Sequence, residues 1–279
     1  STTLPELQVR SAREYWQDAA TTEGSGSYTS GQVNIMKGTQ KLKDIPLSVS
    51  VVTQQRMRDQ NITSVKEALE NSPGITAVAS FPGTQFYSRG FFINSFQYNG
   101  VPLERQLYTR GSSFTGQTAI FDRLEIMRGP QGMLEGAGDP SGSVNLVRKR
   151  PTHEKQVVIT AKAGSWDRYG LQLDAGGSLN ESQTIRGRVV VDGDNQRSFV
   201  DHKASKNQTF YAALDIDLGP DTTIGLGFSH EELKSTPDVM GLPNYSNGTM
   251  PNFKRSTFLS PSWSYWDKTQ DTYYADLQH

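Results

Sequence analysis

The chain has 279 residues, with 28 basic against 29 acidic side chains and a net charge of −1, so no basic surplus points to nucleic acid. It contains no cysteine, which excludes a disulfide-stapled module and any thiolate metal site. No apolar run reaches the roughly 18 residues of a membrane-spanning helix; membrane strands, which alternate apolar and polar residues, are not excluded.

Residues 1–40 are polar, rich in Ser, Thr and Gly, and lack apolar periodicity. They are expected to form a flexible arm. Within it, Leu4-Pro5-Glu6-Leu7-Gln8-Val9-Arg10 reads as a short extended stretch led by proline.

Residues 41–150 are expected to form a compact α+β domain. A strand follows Pro46 around Val49–Val52. Thr63 or Ser64 caps a short helix through Val65, Ala68 and Leu69, stopped by Ser72-Pro73-Gly74. Further strands are expected around Phe86–Arg89, Gln97–Asn99, Leu124–Arg128 and Ser143–Arg148, separated by Gly- and Pro-bearing loops.

After Pro151 the pattern turns to alternation. Val157, Ile159, Ala161 and Ala163 share one parity; so do Tyr169, Leu171, Leu173 and Ala175, then Ile185, Val189 and Val191. Phe210 to Leu218, Ile224 to Phe228 and Tyr273 to Leu277 repeat it, making six runs. Period-two alternation gives each strand one apolar and one polar face. A soluble sandwich turns that apolar face inward, and a membrane barrel turns it to lipid. Several runs approach the roughly 9–11 residues of a tilted membrane strand, which favours the barrel. Connections near Asn180 and Pro220 are short and those at Asn195–Lys206 and Glu232–Lys268 long, as in outer-membrane barrels; the short Ser165-Trp166-Asp167 link departs from that scheme. Trp166 reads as an interfacial anchor.

Enzymatic chemistry finds no support. The four histidines lie far apart, and neither an H-E-x-x-H nor a G-x-S-x-G pattern occurs. Gly129, Gly132, Gly136, Gly138 and Gly142 are not followed by the Gly-Lys-Ser/Thr of a phosphate cradle, so they read as tight turns.

Four ordered motifs give the chain a family resemblance. They are Ser72-Pro73-Gly74-Ile75, Ser88-Arg89-Gly90-Phe91, Tyr98-Asn99-Gly100-Val101-Pro102, and the stretch from Arg128-Gly129-Pro130 through Gly142-Ser143-Val144-Asn145 to Lys149-Arg150-Pro151. Together they resemble the plug of TonB-dependent ferric siderophore receptors, with most likeness to the hydroxamate group that takes ferrichrome, pyoverdine or alcaligin. The resemblance implies a membrane all-β barrel with an N-terminal α+β plug: arm 1–40, plug 41–150, wall strands 151–279. Such transporters have about 22 strands, so these six imply the N-terminal part of a longer receptor.

The resemblance also assigns roles. It places ligand loops at Ala79–Thr84, Phe92–Ser95 and Arg105–Phe114, nominating Phe81, Phe92, Arg105, Tyr108, Arg110 and Phe114, with Arg105 and Tyr108 foremost. Aromatic walls with a few fixed donors suit a compact anionic iron chelate. Arg89, Glu125 and Arg128 are expected to form ion pairs from plug to barrel wall, with ligand contact as the alternative. Leu7, Gln8 and Val9 sit where a TonB box belongs, the strand that adds to TonB. The implied partners are a ferric siderophore, TonB and outer-membrane lipid, for a monomer in a Gram-negative outer membrane. Iron arrives inside the ligand, with no cofactor bound directly. Haem or cobalamin import is the rival within the class, and a soluble β-rich binding module is the rival outside it.

Overall fold

The computed structural model describes residues 18–36, 38–80, 83–104, 116–130, 140–236 and 243–279. In chain order, β1 (Gln32–Val33) pairs with β2 (Gln40–Lys41), and β3 (Ser48–Thr53) runs into α1 (Gln54–Asp59) and then α2 (Val65–Glu70). Thr53 caps α1 by accepting from the Arg56 amide. Ser64 caps α2 in a reciprocal box with Glu67, a device that stabilises a short helix by about 1 kcal/mol. Gly74, at φ +77°, then turns the chain into β4 (Ile75–Ser80).

Next come β5 (Gly83–Ser88), β6 (Phe91–Phe92), β7 (Ser95–Tyr98), β8 (Val101–Glu104), β9 (Phe121–Arg128) and β10 (Gly142–Arg148). The plug sheet has the order β3-β9-β10-β7-β8, with β10 parallel to β7 and its other pairings antiparallel. Asn99-Gly100 joins β7 to β8 with φ of 51° and 80°, the two left-handed residues that a tight hairpin turn requires. A methyl group on Gly142 (φ +125°) would run into the Met127 carbonyl, so β10 can start beside β9 only with glycine there. One face of the sheet, with Phe96, Leu124, Ile126, Val144 and Leu146, packs on Met57, Val65, Leu69 and Phe86. Val51 and Met127 pack on Val33 and Ile35.

The second sheet is a six-stranded antiparallel meander. Its strands are β11 (Gln156–Gly164), β12 (Arg168–Ser178), β13 (Ile185–Arg197), β14 (Ala204–Asp217), β15 (Thr223–Ser235) and β16 (Trp266–Gln278). All six expected strands form, but β13 and β14 run further than the apolar pattern suggests. Their connection shrinks to residues 198–203.

Burial in this sheet is inverted relative to a soluble protein. Val157, Ile159, Leu171, Val191, Phe210, Leu226, Tyr273 and Leu277 are exposed, whereas Asp174, Arg188, Asp192, Asp194, Thr209, Asp215 and Glu231 are buried. The apolar face looks outward and the polar face looks onto the plug, which is a barrel wall in lipid and not a sandwich. Val190, Tyr211 and Ala213 of the inward face join the plug's own core.

The apolar band runs obliquely. Across the register row Val157–Ala175–Val189–Ala212–Phe228–Tyr273, the outward residues are apolar from β11 to β16. One step further along, Leu173–Val191–Phe210 gives way to His230–Asp271, and the next step passes from Leu171 to Gln208, Glu232 and Thr269. A band of constant thickness crossing the strands at a slant is what strands tilted to the membrane normal produce.

Candidate functional site

The seam between plug and wall holds most of the buried charge. The exit segment supplies three consecutive cations. Arg148 places its guanidinium 4.8 Å from the Tyr98 ring of the plug and 4.9 Å from the Tyr274 ring of the wall. Lys149 pairs with Asp174 of β12 at 2.8 Å. Arg150 bridges Asp215 of β14 at 2.9 Å and Asp276 of β16 at 3.0 Å. Burial opposes the charge on Arg150, but the two carboxylates outweigh it and raise its pKa. Tyr211 donates to the Lys149 carbonyl at 2.6 Å.

A second cluster ties residues 18–34 to the same seam. Arg123, wholly buried on β9, contacts Asp18 (2.9 Å), Asp122 (2.8 Å) and Glu125 (2.8 Å). Burial disfavours its charge, yet Glu125, Asp18 and Asp122 together push its pKa up. Asp122 accepts from the Thr22 and Glu23 amides, and Glu125 accepts from the Asn34 amide and Asn145 Nδ2. Glu23 receives both Nη groups of Arg188 of β13 at 2.6 Å, and Arg188 also donates twice to Asp174. Burial works against the Glu23 carboxylate, but the Arg188 contacts hold it below the ordinary value. Residues 18–36 are therefore docked chain and not the flexible arm expected of 1–40.

The other expected site residues fall as follows. Within this chain Glu125 does not reach the wall; its partners are Arg123, Asn34 and Asn145, all on the plug side. Arg128 likewise stays on the plug, donating to Ser48, Ser50 and the Pro73 carbonyl. Arg89 is exposed at φ +52° in the turn between β5 and β6, beside Gly129. Burial, and then the charge of Arg89, lower the Arg128 pKa. Among the described residues, ion pairs from the plug side to these wall strands are made by Glu23, Lys149 and Arg150. A cation run at the plug exit opposite inward carboxylates was the available signal for the last two. Phe92 is half-buried and packs edge-on against Tyr87 at 5.8 Å. Phe81, Arg105, Tyr108, Arg110, Phe114, Leu7, Gln8 and Val9 lie outside the described residues. Trp166 is exposed in the turn between β11 and β12, its ring 6.1 Å from that of Phe199.

Comparison with known proteins accords with this geometry. Residues 41–143 match the TonB-dependent Receptor Plug Domain family. A ferric-pyoverdine receptor of a Pseudomonas strain is 46% identical over 93% of this chain, which spans 32% of that relative. The chain belongs to the TonB-dependent receptors. The crystal structure of the ferripyoverdine receptor of the Pseudomonas aeruginosa outer membrane, bound to ferripyoverdine, superposes with a TM-score of 0.86. It is 35% identical, over 94% of this chain and 36% of its own. The alcaligin outer-membrane receptor of Bordetella pertussis gives 0.73 at 31% identity, over 94% of this chain and 41% of its own. This receptor chain thus spans about a third of the length of its curated relatives, with 32% of the first.

Proposed function

We propose that the receptor carrying this chain imports a ferric siderophore of the pyoverdine class across the outer membrane of a Gram-negative bacterium, and is not an enzyme. The observation that carries this reading is the 46% identity, over 93% of the chain, to a ferric-pyoverdine receptor. The inverted wall and the plug lodged against its polar face support it. In this reading residues 41–150 are the plug and 151–279 the opening strands of the wall. Leu7, Gln8 and Val9 form the strand offered to TonB, and iron enters only as the ligand's metal. Phe81, Phe92, Arg105, Tyr108, Arg110 and Phe114 contact the chelate from the outer side of the plug, where rigid rings and fixed guanidinium donors suit an oxygen-rich anion. TonB then draws on the N-terminal arm to rearrange the plug.

The experiment is binding and uptake of iron-radiolabelled ferric pyoverdines by cells whose sole siderophore receptor carries this chain. The expected result is saturable binding without energy and uptake only with TonB. Binding of haem or cobalamin in preference to ferric pyoverdines would contradict the reading.

A further inference from the structure

The outward face of the wall is not evenly filled. Along the register row Gly177–Gly187–Leu214–Leu226, the surface steps down from two leucines on β14 and β15 to a glycine pair on β12 and β13. Two rims stand over that pair. A methyl group on Gly177 (φ +150°) would lie 2.7 Å from Lys155 Cα, and one on Gly187 would lie 3.1 Å from Leu179 Cδ1. The result is a groove of about 950 Å³, floored by Ala175, Gly177, Gly187 and Ala212 and walled by Val157, Leu214 and Phe228. That is the size of a small-molecule site.

Its place and its charge say what fits it. The groove lies toward the end of the wall with the short 179–184 and 218–222 turns, the periplasmic end of a barrel of this kind. On β11 the outward apolar run of Ile159 and Val157 stops there at Lys155, which is exposed. No described carboxylate lines the groove. Glu154, next in the chain, lines the inner cavity between plug and wall instead. Arg188 contributes to the lining, but its guanidinium is bonded inward to Glu23 and Asp174. One outward cation therefore stands at the rim of an apolar trough.

Bulk lipid offers no hydrophobic gain here, because its tails are as apolar as the wall. Contact and charge do the selecting. A dent facing disordered tails forfeits dispersion contacts that an ordered chain recovers. A lysine at the membrane surface attracts an anionic headgroup. We propose that this groove binds one phospholipid of the periplasmic leaflet, with its acyl chains on the glycine floor and its phosphate on Lys155. The site depends on the outward face lying in lipid and not on which chelate the receptor imports.

Native mass spectrometry tests it on the full-length receptor, delipidated in detergent and titrated with phosphatidylglycerol or with the diacylglycerol of the same chains. One phosphatidylglycerol should stay bound at activation energies that strip further lipid, and diacylglycerol should not. Lys155→Glu should cut the retained fraction by about tenfold, since an attraction becomes a repulsion. Ala212→Phe fills the floor with another apolar side chain and should abolish retention. Lys206→Glu, the same charge change on an exposed residue at the outer end of β14, should leave retention unchanged. Circular dichroism checks that each variant keeps its sheet, and Lys155→Glu, on an exposed side chain, decides the matter if Ala212→Phe does not fold. Equal retention of the two lipids, or full retention by Lys155→Glu, overturns the proposal, as does a loss as large in Lys206→Glu.

Discussion

Plug and wall are both sheets built on alternating sequence, but the central plug strands bury both faces and the wall buries only its polar one. In the plug, β9 and β10 are enclosed on both faces, and Arg123, Glu125 and Asn145 are inside only because they bond one another. In the wall the apolar residues face out and the charges face in, where Asp174, Arg188, Asp192 and Asp215 find partners on the plug or on nearby wall strands. The same period means a different thing on each side because the solvent differs: protein interior for the plug, lipid for the wall. Buried charge is the shared currency, and it concentrates where the two meet.

The largest expected effect breaks the plug side of this comparison. Arg123→Gln leaves Asp18, Asp122 and Glu125 without their common cation, at a cost of about 3–5 kcal/mol. Loss of hydrogen-exchange protection in β9 measures it. On the wall side, Leu226→Arg puts a charge on the lipid face and costs about 2–4 kcal/mol near the midplane. The same change at Gln270, paired with inward Glu231 and facing the lumen, costs little, and refolding into vesicles compares the two.

A smaller effect concerns the docked segment around Glu23, which contacts both regions. Because the folded Glu23 carboxylate titrates below its unfolded value, its contribution is complete above the ordinary carboxylate pKa. It is lost as pH falls below the ordinary carboxylate range. A spin label at Thr29→Cys should mobilise in that window, and Glu23→Gln should already be mobile at neutral pH with no such step. The smallest effect is Lys66→Ala on the exposed face of α2, where its 3.6 Å pair with Glu70 is worth about 0.3–0.5 kcal/mol.

How much of this was readable in the sequence follows the same divide. The six wall strands were legible because lipid enforces alternation where the band lies. Their outer ends were not, since Asn195, Lys206 and Gln208 keep the hydrogen-bond ladder but face outward as polar residues. The helix α2 announced itself through Ser64 and Glu67. The helix α1 did not, because Met57 is its one buried residue, although Thr53 was a usable cap signal. The docking of residues 18–36 was invisible for a physical reason: Thr22 and Glu23 are fixed by Asp122, about a hundred positions away, and nothing local marks them as ordered. Motif order carried the family, but it assigned wall contacts to Glu125 and Arg128, whose bonds within the chain stay inside the plug.

The account stands on the outward face of the wall lying in lipid. Single cysteines from Thr209 to Leu214 of β14, each spin-labelled in the receptor reconstituted into bilayers, test that most directly. Labels at Phe210, Ala212 and Leu214 should collide freely with lipid-dissolved oxygen, and those at Thr209, Tyr211 and Ala213 should be shielded against the plug. The reverse alternation, or shielding at all six positions, would contradict it.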